Sequence, residues 1–254
     1  MPIEGEWVVS LTLSGPITVR SLLNLKVEKG SRSPFWTTAK IQETARGVMI
    51  SVVVRARDQE EANDSAVYFV GQTLDTLSLK LDLPIYLSLS GTQFKTIETH
   101  TKRVVEELEW SEAFKLGREY GIDRPIFSRA LGWYRKGLTG EDPIDRFMAF
   151  WSSLEGVGSK FAIIPPGIQS GAINQICNCF DQIWGESTHW RVITNDAECI
   201  NRFHAIRNGI AHGFMTVEVN SIREVASQLP KLRKLAQAFL SDWEKQKNEP
   251  EPKD

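Results

Sequence analysis

The stretch Asn201-Arg-Phe-His-Ala-Ile-Arg-Asn-Gly-Ile-Ala-His-Gly213 decides how the second half of this chain is read. At about 100° per residue, with His204 at zero, Arg207 falls near −60°, Asn208 near +40° and His212 near +80°. Cys199, Phe203, Ile206 and Ile210 fall together between about 200° and 260°. An apolar stripe facing a polar arc predicts an amphipathic helix that buries the stripe and presents His204, Arg207, Asn208 and His212. Gly213 predicts the stop, which leaves His212 at a helix end. This pattern is also what any surface helix shows, and periodicity alone makes no site. The residue types add something. Arginine is a permanently charged planar fork suited to phosphate, and histidine exchanges protons near neutrality, so the pair points to chemistry on a phosphodiester.

Working outward, period-3.6 patterns predict helices at about 126 to 138, 143 to 157, 169 to 184, 196 to 212 and 221 to 245. The second of these begins with Asp142 as cap, Pro143 at the first helical position and Asp145 in the first turn. The last carries Ile222, Val225, Leu229, Leu232, Leu235, Phe239 and Trp243 and contains Pro230, which predicts a kink. The N-terminal part has another rhythm. Trp7–Leu13, Ile17–Val19, Leu23–Val27, Val48–Val54 and Pro84–Ser90 read as strands. Asp58 and Glu61 open a helix in which Ala62, Ala66, Phe69, Val70, Leu77 and Leu81 recur at three and four. The fold class is therefore an α+β N-terminal domain followed by an all-α bundle. Its expected divisions are 1–100, a connector with a helix at 101–123, a helical domain at 124–246 and a disordered tail at 247–254.

Composition narrows the function classes. The chain has 254 residues and a formal net charge of −2, and from Gly121 onward 16 Lys and Arg face 16 Asp and Glu. With no global basic field, a nucleic-acid partner has to be gripped by local clusters. No apolar run approaches the roughly 18 residues of a membrane span, and Glu4 and Glu6 replace the basic start of a secretory signal. The expectation is a cytoplasmic protein that does not enter membranes. Cys177, Cys179 and Cys199 fit neither zinc spacing nor a disulfide framework, so reduced thiols and no metal or other cofactor are expected.

Arg207-Asn208-Gly-Ile-Ala-His212 resembles the signature of the HEPN superfamily, an Arg with a polar neighbour and a His four to six residues beyond. Ala130-Leu-Gly-Trp-Tyr-Arg-Lys-Gly137 and Glu141 through Glu155 resemble the first helices of HEPN-like domains placed behind a variable N-terminal region. The resemblance covers about residues 124 to 246. It implies a metal-independent endoribonuclease in defence or toxin-like RNA degradation. There His212 would transfer the proton of a 2′-hydroxyl, Arg207 would hold the phosphate, and Asn208 would orient the ring or the phosphate. In that family the site is composite across a dimer. The wheel agrees: one Arg and one His about 140° apart converge poorly on a single phosphate, and a two-fold axis would bring two of each together. His204 and Glu155 are supporting candidates, each with a plain structural alternative. Arg202, Arg191, Lys231, Arg233 and Lys234 are candidate RNA-backbone contacts or ordinary surface charges, and Trp190 either stacks a base or packs in the core. The competing function is a non-catalytic HEPN-like dimer that binds RNA or nucleotide or acts as a scaffold. The N-terminal domain is free, on either view, to take a protein or ligand partner.

Overall fold

The computed structural model describes residues 5–26, 35–88, 101–164, 167, 169–196, 198–213 and 219–246. The chain divides into two compact units, Met1–Ile122 and Asp123–Asp254. The expected tail at 247–254 lies outside the described residues.

The first unit is α+β. Strands β1 (Gly5–Ser14), β3 (Leu23–Lys26), β4 (Phe35–Thr44), β5 (Gly47–Ala56) and β6 (Tyr86–Ser88) form an antiparallel sheet in the order β3-β4-β5-β1-β6. A short parallel pair joins β2 (Ile17–Thr18) to β7 (Arg103–Val104). Period-two alternation sends Val9, Leu11 and Leu13 of β1 and Val48, Ile50, Val52 and Val54 of β5 into one core. Val8 is left on the opposite face, 73% exposed. Helix α1 (Gln59–Leu81) covers the buried face with Ala62, Ala66, Phe69, Val70 and Leu77.

The start of α1 is a variation on the expected capping box. Asp58 accepts the Glu61 N–H at 2.8 Å, but Glu61 reaches back to the N–H of Arg57 at 2.8 Å, one residue before the cap. The helix expected in the connector is α2 (Glu107–Asp123), and it belongs to the first unit. Its Trp110, Ala113 and Phe114 enter the sheet's core, and Phe114 meets Phe69 with ring centroids 5.4 Å apart.

Strand β4 is the element with no clear sequence signal. Between Thr37 and Thr44 only Ala39 and Ile41 are apolar, both buried, so the alternation is too sparse to read. Pairing on both sides, to β3 and β5, makes it a strand. The turn into β5 ends at Gly47, whose φ of +128° and approach to the Leu13 carbonyl leave no room for a Cβ.

The second unit is helical: α3 (Pro125–Thr139), α4 (Pro143–Phe161), α5 (Ala172–Trp184), α6 (Glu198–Ala211) and α7 (Val219–Gln246), with a 3₁₀ turn at Ser187–His189. Asp142 caps α4 as its sequence predicts, accepting from the N–H groups of Ile144 at 2.7 Å and Asp145 at 3.2 Å. Helix α7 runs unbroken through Pro230. Helix α4 is the centre of the bundle and meets α3, α5, α6 and α7. Phe147, Phe150, Trp151, Leu154 and Val157 are all completely buried along it.

The closest packing is between α3 and α4. A Cβ at Gly137 would stand 2.6 Å from Cδ1 of the buried Phe150 ring. In a helix interior Gly→Ala normally gains about 1 kcal/mol, but overpacking a core costs about 1–3 kcal/mol, so the clash should win. Gly156, in α4, has nothing within 4 Å of its Cβ position and should show the gain alone. Urea unfolding should therefore place the midpoint of Gly137→Ala below wild type and that of Gly156→Ala above it. Equal shifts in one direction would contradict the packing described.

Candidate active site

Helix α6 carries the motif, and its orientation differs from the simple wheel. Cys199, Phe203 and Ile206 are buried as expected, but so is Ile200, which falls at about −40°, inside the polar arc. The buried sector is therefore wider on the Arg207 side. Arg207 is not fully presented to solvent: its side chain is 27% exposed and points along the boundary with α4. Asn208 and His204 are half-buried, and His212 is exposed.

The contacts form a chain across α4 and α6. Trp151 Nε1 donates to Glu155 Oε2 at 3.1 Å, and Glu155 Oε1 faces Arg207 Nη2 at 3.5 Å. Arg207 Nη1 donates to Asn208 Oδ1 at 3.2 Å. With Oδ1 so used, Asn208 Nδ2 is the donor toward the His204 ring, 3.4 Å from Nδ1, and the ring nitrogen facing it supplies a lone pair. His204 in turn lies against Trp151, centroids 5.8 Å apart. Arg207, Asn208, His204 and Glu155 are thus brought together.

Trp151 is the member that sequence reasoning did not single out. It stands four residues before Glu155, hence one turn away on the same face, and that spacing was the available signal.

His212 is placed differently. Helix α6 ends at Ala211; the His212 N–H bonds to Asn208 O at 3.0 Å, and Gly213 follows with φ +67°. The imidazole therefore stands exposed at the helix end, one turn beyond Asn208, with its backbone anchored.

The cluster has reserve capacity. A guanidinium has five N–H donors, and Glu155 and Asn208 engage only two of them. Among the described residues Arg207 Nε is buried without a hydrogen-bond partner. A pair of half-buried groups, one of them braced through a tryptophan N–H, can hold an arginine fork steady while leaving other donors for an anion.

The candidate backbone contacts fare unequally. Asp196 accepts from Lys231 Nζ at 2.8 Å and from Arg202 Nη2 at 2.8 Å, so these two cations are joined to one carboxylate. Arg191 Nη1 lies 2.6 Å from Asp242 Oδ2, which also accepts from Trp184 Nε1 at 3.0 Å. Arg191, Arg202 and Lys231 thus hold the bundle's own segments together. Lys234 is exposed and Arg233 half-buried on α7. Trp190 is a core residue, 3% exposed, its Nε1 donating to Asp181 and to the Gly185 carbonyl. Burial pushes the Cys177 thiol up to about 11, which keeps it protonated and a poor nucleophile.

No protein-family model, curated protein or solved structure matches the chain. Among the described residues, no helix is long and apolar enough to cross a membrane.

Hydrogen bonds from Lys231 and Arg202 hold the Asp196 carboxyl below its ordinary value. A group depressed in the folded state stabilises above its unfolded value, about 3.9 for Asp, and the contribution is lost as pH falls through the lower native value. Asp196→Asn should therefore lower the urea midpoint at pH 7. The gap from wild type should narrow below about pH 3.9 and close at lower pH. A gap that persists unchanged into acid would remove the ion cluster as its cause.

Proposed function

We propose that this protein is a metal-independent endoribonuclease of HEPN type that works as a homodimer. The observation that carries the reading is the brace of Glu155 and Asn208 on Arg207, with an exposed His212 just past the C-terminal end of the same helix. His212 of one subunit takes the proton of a 2′-hydroxyl. The 2′-oxygen attacks phosphorus, the bond from phosphorus to the 5′-oxygen breaks, and the second subunit's His212 protonates the departing oxygen. The products are a 2′,3′-cyclic phosphate and a 5′-hydroxyl.

Arg207 holds the phosphate as charge develops, where a preset fork is most effective. Asn208, bonded to Arg207 and near His204, keeps that fork from swinging away. Glu155 is a positioning residue and acts through Arg207. The half-buried setting of Arg207 adds to the case for two subunits, because Arg207 and the exposed His212 stand about 140° apart round the helix axis. The resemblance further suggests defence or toxin-like RNA degradation in the cytoplasm, with the N-terminal unit sensing a partner.

The decisive assay uses purified protein, labelled single-stranded RNA and excess EDTA. Wild type should cut, and His212→Ala and Arg207→Ala should each reduce cutting at least about 100-fold while sedimentation still shows a dimer. Cleavage that survives both substitutions would overturn the reading. RNA binding by wild type without any cut would favour the non-catalytic dimer instead.

A further inference from the structure

Asn208 lies between two groups with different demands. On one side stands Arg207, which has donors only, so the amide must turn Oδ1 toward it, 3.2 Å from Nη1. On the other side stands the His204 ring, and Nδ2 is then 3.4 Å from its Nδ1 and 3.5 Å from its Nε2. The amide nitrogen thus sits almost equally far from both ring nitrogens. A neutral imidazole, in either tautomer, keeps one lone pair beside Nδ2. A protonated one has none, because both nitrogens then carry hydrogen.

We propose that His204 is a positioning residue for Arg207: its neutral ring locks the Asn208 amide with Oδ1 on the guanidinium, and protonation of the ring releases the arginine. Its bearing on catalysis rests on the proposed role of Arg207 as the phosphate-holding group, whereas the coupling itself rests only on these contacts.

Little else competes for the ring. It packs against Trp151 of α4, centroids 5.8 Å apart and planes at 47°, which limits how far it turns. The N–H of that tryptophan is given to Glu155 Oε2 at 3.1 Å and is not offered to the ring. Among the described residues Asn208 is the ring's only hydrogen-bonding side chain. The charged groups of the cluster are Arg207 on α6 and Glu155 on α4. Helices α5 and α7 also meet α6, but Asp181 of α5 accepts from Trp190 Nε1 and Lys231 of α7 is tied to Asp196. Arg223 and Glu224, near the start of α7, are exposed.

Protonating the ring leaves two outcomes, each costing one bond. If the amide stays, Nδ2 faces an N–H and the ring contact is lost. If it turns over, Oδ1 satisfies the ring and Nδ2 is set against the donors of Arg207, which keeps only Glu155 at 3.5 Å. By linkage, whatever holds Oδ1 on Arg207, a bound phosphate included, disfavours the proton on His204 by the same factor. Histidine is the side chain whose proton exchange falls between pH 5 and 8. The coupling therefore makes the arginine sensitive to mild acid through a group that does not itself move the substrate's proton.

The test follows the full chain, labelled with ¹³C in the histidine rings and ¹⁵N in arginine, by NMR from pH 8 to pH 5. The His204 ring signal is assigned by its loss in His204→Gln, and the Arg207 Nε–H signal by its loss in Arg207→Lys. In wild type the Arg207 signal should shift with the same midpoint as the His204 ring. In His204→Gln, whose amide oxygen accepts from Nδ2 at every pH, that shift should disappear. Asn208→Asp, which accepts from both neighbours, should also uncouple Arg207 and should raise the ring's proton affinity at least about tenfold. At pH 7.5 His204→Ala should cut labelled RNA about 3- to 10-fold more slowly, as expected for one lost hydrogen bond. His204→Gln should stay within about threefold of wild type at that pH and lose less activity than wild type at pH 5.5.

An Arg207 signal that ignores the His204 titration, or one that shifts equally in His204→Gln, would overturn the coupling even where wild type cuts RNA. A ring that keeps one protonation state from pH 8 to pH 5 would overturn it too. If the two signals move together while wild type cuts nothing, the coupling stands and the ribonuclease reading falls. Should His204→Ala fail to fold, His204→Gln and Asn208→Asp carry the decision.

Discussion

The helical unit depends on α4 being buried almost all round. A helix that faces four others cannot place a charged group on its inner surface unless that group is paired, and Glu155 is the exception that shows how this is done. Its two oxygens are divided between an indole N–H from its own helix and an arginine from α6. Trp151 fixes Glu155, Glu155 fixes Arg207, and the register between α4 and α6 is set by a polar contact inside an otherwise apolar seam. The aromatic packing around it, such as the edge-on meeting of Phe147 and Phe203 at 6.0 Å, gives the seam its area but little selectivity of register.

Two kinds of charged contact follow from this arrangement. At the ends of the bundle, carboxylates gather cations from neighbouring segments: Asp196 takes Lys231 and Arg202, and Asp242 takes Arg191. These pairs satisfy each partner closely. The Arg207 contacts are looser, at 3.2 and 3.5 Å, with a buried Nε that has no partner among the described residues. Pairing is thus tight where segments are tied and looser at the motif, which on the proposed reading leaves donors of the fork for a phosphate.

Much of this organisation is legible in the sequence for identifiable reasons. Asp142-Pro143 starts α4 and Gly213 ends α6 because both signals act within a turn and need no tertiary help. The five helices of the second unit have long apolar periodicities, which local variation does not hide. Strand β4 is opaque because two apolar residues in eight cannot outweigh Lys40, Gln42 and Glu43, and its state is decided by neighbours far along the chain. The wheel for α6 likewise assumes one buried direction. A helix touching α4, α5 and α7 has more than one, which is why Ile200 is buried beside Arg207 and the polar arc is narrower than it looks. Trp151 escaped notice because a tryptophan on an apolar helix reads as filler until the group that accepts its N–H is known.

The narrowed arc bears directly on how the proposed site would work. Were Arg207 fully exposed, it would sample many rotamers and hold a phosphate no better than any surface arginine. Half-burial against α4, with one donor on Asn208 and one toward Glu155, removes much of that freedom before a substrate arrives, so less is lost on binding. The same burial closes the guanidinium on the α4 side. A phosphate then has to come from the side away from α4, and with His212 about 140° round α6 from Arg207 the proton-transfer group is, on the proposed reading, the partner subunit's. On the proposed reading the bond from Arg207 to Asn208 therefore keeps the fork turned toward that open side.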